Sequence, residues 1–206
     1  SLDDSGWPQH GFARTAPFFL VSESSTADYT AVVLALDPTA AIDGWQRRAT
    51  LGVEICVGDQ LWMELRTTNI SDEPLPLGVG LHSYFAVSGI EQIAIPAVTG
   101  LEYLDKPTDY GRVCQQEPLA ISCEIDRVYQ DAAAVTELHD NGSQRTITID
   151  AYGHTDLVIW NPGAQVAAAM ADFDDTGYLK MVCIEPAIAL DKRVLVQPGE
   201  CYRVGQ

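Results

Sequence analysis

Basic residues are scarce in this chain: 12 Lys and Arg stand against 29 Asp and Glu over 206 residues, a net charge of −17. A surface of that sign repels nucleic acid and anionic lipid, so neither is an expected partner. It also repels an anionic small molecule at long range, unless a local basic cluster overrides it. The five cysteines (Cys56, Cys114, Cys123, Cys183 and Cys201) form no CxxC pair and no Cys/His cluster, which argues against a structural zinc site. Their odd number and scatter fit reduced thiols in a cytoplasm. Cys56 and Cys183 lie in apolar runs, where a cysteine acts as a small hydrophobe. No stretch reads as a membrane span, a signal peptide or a lipidation site, so a cytoplasmic protein is expected. No window longer than ten residues keeps a 3.6-residue apolar period. Long amphipathic helices are not expected.

What is present is alternation. Hydrophobic residues make up 47% and charged residues 20%, an ordinary globular balance, and the length suits one domain with a substantial core. The leading residues Ser1-Leu2-Asp3-Asp4-Ser5-Gly6-Trp7-Pro8 read as the start of a fragment. Over residues 50–57 the apolar set is Leu51, Val53, Ile55 and Val57. After the turn Gly58-Asp59-Gln60 it is Leu61, Met63 and Leu65, with Trp62, Glu64 and Arg66 on the other face. That is a hairpin pattern. A second hairpin is expected over 133–138 and 145–150, its turn Asp140-Asn141-Gly142-Ser143 carrying an Asn-Gly pair that tolerates positive φ. Further strands are expected at 18–22, 30–36, 77–87, 92–95, 157–160, 166–171, 179–185 and 194–197, with another beginning at Asp126-Arg127-Val128-Tyr129. A helical turn is expected at 41–45, and turns at Asn161-Pro162-Gly163 and Pro198-Gly199. About a dozen strands without repeat or linker point to an all-β fold, a large antiparallel β-sandwich. An eight-stranded closed barrel is the structural competitor. A sandwich of this kind can carry a shallow, sugar-sized cleft across one sheet.

Two runs place a titratable group among apolar neighbours. In Leu81-His82-Ser83-Tyr84-Phe85, alternation puts His82 and Tyr84 on one face and Leu81, Ser83 and Phe85 on the other. An imidazole there can act as an acid near neutral pH, although spacing alone favours a core histidine satisfied by backbone groups. In Cys183-Ile184-Glu185-Pro186, the carboxylate is either at an edge facing water or buried. If buried, desolvation raises its pKa and suits it to act as a base. Asp126-Arg127 reads most plainly as a local ion pair or exposed turn, and functionally as an acceptor, Asp126, for a sugar hydroxyl. His10-Gly11-Phe12-Ala13-Arg14 offers an imidazole and a guanidinium whose fork matches phosphate, or else a solvated leading segment. His139 and His154 lie in or near turns and take no role. Trp7, Trp45, Trp62 and Trp160 read as core or edge packing, any one of them able to line a sugar site.

With these residues in place, the chain resembles the aldose 1-epimerase-like family, in its glucose-6-phosphate 1-epimerase (hexose-6-phosphate mutarotase) branch. The matching segments are Pro8-Gln9-His10-Gly11-Phe12-Ala13-Arg14, Leu81-His82-Ser83-Tyr84-Phe85, Asp126-Arg127-Val128-Tyr129, Trp160-Asn161-Pro162 and Val182-Cys183-Ile184-Glu185, in the family's order. The resemblance implies a galactose-mutarotase-like supersandwich over residues 1–206, a single domain incomplete at its amino-terminal end. Family members there carry several more strands and an Arg-Gly-Gly-containing loop that brings another arginine to the phosphate site. It implies that Glu185 is the base acting on the anomeric hydroxyl and His82 the acid acting on the ring oxygen. It further implies that His10 and Asp126 hold the sugar and that Arg14 lies near its phosphate. The expected substrate is a sugar or sugar phosphate, and no metal or other cofactor is expected. Two other readings stay open: a mutarotase for a neutral aldose, and a carbohydrate-binding module without turnover.

Overall fold

The computed structural model describes residues 10–39, 48–190 and 192–206. The expected helical turn at 41–45, with Trp7 and Trp45, lies outside them. The chain forms two compact units, one from Ser1–Gly80 with Ile188–Gln206, the other from Leu81–Ala187. The strands in chain order are β1 (Phe18–Ser25), β2 (Thr30–Leu36), β3 (Ala49–Val57), β4 (Leu61–Asn69), β5 (Leu75–Leu77) and β6 (Val79–Gly80), then β7 (Tyr84–Ala86), β8 (Ile93–Ala94), β9 (Glu102–Asp105), β10 (Gly111–Cys114) and β11 (Ile125–Gln130). They continue with β12 (Val135–Asp140), β13 (Arg145–Asp150), β14 (Asp156–Asn161), β15 (Met181–Ile188), β16 (Val194–Val196) and β17 (Cys201–Gly205). One α-helix, α1 (Gly163–Ala169), accompanies them.

In the first unit an antiparallel sheet runs β1-β2-β3-β4-β17, and β5 pairs with β16. The first expected hairpin holds, with Val57 opposite Leu61 and Ile55 opposite Met63. Its polar face is not simply solvated: Glu64 is buried and accepts from Arg66 and, at 3.1 Å, from Arg203 of β17. A buried carboxylate needs such partners to offset its lost hydration.

In the second unit an antiparallel sheet runs β10-β9-β11-β14-β15, with β7 paired on β15. A three-stranded sheet, β13-β12-β8, supplies further core residues. Ile159, Ile184, Val182 and Tyr129 of the first sheet pack with Leu138 and Ile149 of the second. These two sheets are open runs rather than a closed ring, so the barrel competitor falls away.

Several expected elements change. Residues 166–171 are not a strand: Gly163–Ala169 is helical, because its run of alanines has high helix propensity and no alternating partner face. The expected strand over 77–87 is broken into β5, β6 and β7, with 81–83 outside any strand. Strands β9, β10 and β17 were not anticipated; charged and glycine residues blur their alternation. In the hairpin of β12 and β13, Asp140 pairs with Arg145, and the positive φ falls on Gln144 (52°) rather than on the Asn-Gly pair. Gly142 serves close approach instead, since a Cβ there would run into the side chains of Gln92 and Ser88.

The turn Asn161-Pro162-Gly163 forms as expected and sets the entry to β15. Buried Asn161 donates to the carbonyls of Tyr178 (2.8 Å) and Met181 (2.9 Å) and accepts from Gly163 N (2.9 Å). Gly163 has φ +62°, and an added Cβ would lie 2.8 Å from Glu124 N. Gly163→Ala is therefore expected to destabilise the protein by roughly 2 kcal/mol or more, read as a lower urea midpoint.

Candidate active site

Strand β15 is buried along its whole length and has β14 on one side and β7 on the other. Val182 and Ile184 point into the core, so alternation turns Cys183 and Glu185 to the opposite face. Residues directly opposite across a ladder share a face. Tyr84 pairs with Cys183, Cys183 with Trp160, and Trp160 with Asp126, one row across four strands. Glu185 pairs with Val158 in the next row. Asp126 and Glu185 thus lie on one face, while Arg127 falls on the other. There Arg127 stacks 4.4 Å over the Tyr103 ring and donates to Gln115 at 3.1 Å, a structural role.

His82 reaches this face by a different route. Leu81 N donates to Pro186 O (3.0 Å), Ser83 N to Leu81 O (3.0 Å), and Ile184 N to Ser83 O (3.3 Å). The Ser83–Leu81 bond closes a three-residue turn with His82 at its centre. That turn lifts His82 out of the ladder and places its Nε2 3.4 Å from Glu185 Oε1. His82 stacks on Tyr84 (centroids 4.9 Å apart, 22°) and meets Trp160 edge-on at 5.6 Å. Packing against two rings limits the imidazole's rotation. Tyr84 is itself 55% exposed, so an aromatic surface borders the pair on the solvent side.

The electrostatics follow from burial. Glu185 is 7% exposed, and burial pushes its carboxyl up to about 8; the negative Asp126 adds to this and the cation of Lys106 opposes it. The expected alternative of an edge carboxylate facing water is thereby answered: Glu185 is interior. Lys106, in the turn after β9, donates to Asp126 Oδ2 at 2.7 Å. Asp126 is accordingly half-buried on the site face of β11 in an ion pair with Lys106, twenty positions away, rather than in the local pair or exposed turn that was its plainer sequence reading. Arg127 points to the other face, toward Asp105. Lys106 was missed in the sequence because it follows a strand whose alternation is weak and looks like any surface lysine.

His82, Glu185 and Asp126 are brought together within the second unit. His10 and Arg14 belong to the first. There His10 and Gly11 both have left-handed φ (67° and 65°), and Arg14 is exposed in a 3₁₀ turn at Ala13–Thr15.

His82, Cys183 and Glu185 present donor atoms within 4.8 Å of one another, close enough in principle for a metal ion. The chemistry of the set argues against it. Cys183 is fully buried, and burial, with Glu185 adding to it, pushes its thiol well above the ordinary range. A metal needs the thiolate. What the arrangement does offer is an imidazole and a protonatable carboxyl at adjoining positions, beside aromatic rings and a second carboxylate. Such a pair can take a proton from one oxygen and give one to another when both oxygens are bonded to the same carbon.

The sequence profile described as aldose 1-epimerase matches residues 2–206. A "Putative glucose-6-phosphate 1-epimerase" of Cenchrus ciliaris is 29% identical over 206 residues, covering 95% of this chain and 62% of that protein. The chain thus spans less than two thirds of that relative's length. Among solved structures, the YeaD protein of Salmonella typhimurium, described as a putative mutarotase, superposes with a TM-score of 0.87 at 26% identity. The superposition covers all of this chain and 68% of that one. A galactose mutarotase-like protein of Clostridium acetobutylicum shares the fold, with a TM-score of 0.70 at 17% identity over 95% of this chain and 67% of that one. The all-β, antiparallel fold read from the sequence is therefore the fold of this group.

Proposed function

The chain belongs to the aldose 1-epimerase family, and on that premise we propose that it interconverts the α and β anomers of a hexose 6-phosphate in the cytoplasm, residues 1–206 acting as one domain. The observation that carries the reading is the 3.4 Å approach of His82 Nε2 to Glu185 Oε1 on an aromatic-bordered sheet face. Anomerisation needs one base and one acid at two oxygens of a single carbon. Glu185 takes the proton of the anomeric hydroxyl while His82 protonates the ring oxygen. The C1–O5 bond breaks, leaving a carbonyl at C1 and a hydroxyl at C5. Rotation about C1–C2 presents the other carbonyl face, and closure returns both protons with the two residues in exchanged roles. Asp126 accepts a hydrogen bond from a ring hydroxyl, and His10 adds a second sugar contact. Arg14 meets the phosphate, where a guanidinium fork gains most. The phosphorylated substrate is favoured by the likeness to proteins named for glucose 6-phosphate.

The test is NMR exchange spectroscopy on α/β-glucose 6-phosphate, with glucose and galactose in parallel. Catalysed exchange of the phosphosugar, weakened by Arg14→Ala while any neutral-sugar rate stays unchanged, is the expected result. Exchange of neutral sugars alone would replace the substrate assigned here by a neutral aldose. Binding without exchange would leave a carbohydrate-binding module.

A further inference from the structure

Glu185 faces charged and titratable groups from several elements. On its own strand lies Cys183; from the turn before β7 and from β7 come His82 and Tyr84; from β11 comes Asp126; from the turn after β9 comes Lys106. Strand β14 contributes Val158 and Trp160 and, one row on opposite Ala187, the buried Asp156, which accepts from Thr155 Oγ1 at 2.7 Å; the charges that act on Glu185 are those of Asp126 and Lys106. Beside Glu185 itself, the groups whose charge bears on its proton are the Asp126 carboxylate, the Lys106 ammonium and the His82 imidazole. Lys106 and Asp126 form a direct pair at 2.7 Å, with side chains 35% and 16% exposed, so water screens them only in part.

We propose that Lys106 is a positioning residue of this site: by pairing with Asp126 it cancels the second carboxylate's charge, aims that carboxylate at the sugar, and leaves the His82–Glu185 pair to share a single mobile proton. The charge count carries this. With Lys106 and Asp126 cancelling, the His82–Glu185 pair is neutral when one proton is divided between its two members. That singly protonated pair is the state that has both an acid and a base. Remove the ammonium, and the carboxylate of Asp126 faces Glu185 uncompensated. A like charge makes Glu185 hold its proton more tightly. Remove Asp126 instead, and the ammonium loosens that proton. Remove both, and the two effects cancel. A lysine that merely packed the turn would show none of this sign pattern.

The catalytic consequence rests on the anomer-exchange reading, but the charge coupling can be measured without turnover. The experiment follows the Glu185 carboxyl by ¹³C NMR through a pH titration of the parent, Lys106→Met, Asp126→Asn, the double variant and Lys106→Arg. Lys106→Met is expected to move the midpoint up by about one pH unit, and Asp126→Asn to move it down by a similar amount. The double variant returns near the parent, and Lys106→Arg stays there because it keeps the charge. In parallel, the alkaline limb of kcat/KM for glucose 6-phosphate moves in the same directions, and Lys106→Met raises KM as Asp126 loses its orientation. A Glu185 midpoint that ignores Lys106→Met, or a double variant that stays displaced, overturns the assignment. Absence of exchange in a parent whose Glu185 midpoint still follows the pattern strikes the proposed function and not the coupling.

Discussion

Glu185→Gln is expected to slow the catalysed anomer exchange of glucose 6-phosphate by roughly 10²–10⁴-fold, and His82→Asn by a similar factor, because each removes one half of a proton relay. The amide of Gln matches the carboxyl in size and keeps the aromatic neighbours in place, but it cannot accept the anomeric proton. The two substitutions together should cost little more than either alone, since a base without an acid, or an acid without a base, leaves the ring-opening step uncatalysed at one of its oxygens. The pH profile gives an independent check. The working state holds one proton between His82 and Glu185. With the carboxyl at about 8, that proton leaves near pH 8, so kcat/KM falls on the alkaline side there. On the acid side the rate falls as a second proton binds. Glu185→Gln should abolish the limb near pH 8 along with most of the rate. Rates within a few-fold of the parent in either variant would remove the acid/base assignment.

Folding stability should carry the same signature. A carboxyl with an ordinary pKa of 4.5 when unfolded and about 8 when folded binds more protons in the native state across that interval. Stability is then full below pH 4.5 and declines as pH rises through 8, the sign expected where burial disfavours the charged form. The interval corresponds to at most roughly 5 kcal/mol, since each pH unit of displacement is worth about 1.4 kcal/mol. Glu185→Gln lacks this titration. The unfolding free energy of the variant minus that of the parent should therefore grow by several kcal/mol between pH 4.5 and 9, measured by urea denaturation at each pH. Taking the difference cancels the many other carboxylates of an acidic chain. A difference that stays level with pH would mean that Glu185 is hydrated in the folded protein, and its suitability as a base near neutrality would go with it.

The elements most legible in the sequence were those whose alternation is strict and whose turns are short. The β3–β4 hairpin and the hairpin of β12 and β13 were legible as hairpins because apolar residues repeat with period two on either side of a compact turn. For the second, the strand runs on to Asp140 and the register, Leu138 opposite Ile147, came only from the folded chain. Alternation also separated Asp126 from Arg127; His82 does lie against Tyr84, but through the turn at 81–83 and not through strand alternation. It failed where tertiary contacts overrode local pattern. The stretch at 166–171 has alanines that satisfy strand and helix templates alike, and the choice fell to a helix entered through Gly163. The run at 77–87 is mostly apolar, yet the bond from Ser83 N to Leu81 O turns its backbone and breaks it at His82.

For the site, the residue types were set by the sequence, one imidazole and one glutamate in apolar runs and an aspartate heading a strand, and so were the faces of Glu185 and Asp126. Period two is a local property, so it survives any arrangement of the strands. Which of these groups meet was decided only by the folded chain. Glu185 lies about a hundred positions from His82, and nothing in either run encodes that β15 sits between β14 and β7, or that a three-residue turn carries the imidazole to 3.4 Å from the carboxylate. The raised proton affinity of Glu185 has the same origin, because desolvation and the fields of Asp126 and Lys106 depend on distance and dielectric. Lys106 is the plainest instance: an unremarkable turn lysine along the chain, and the neutralising charge of the site once β9 lies against β11.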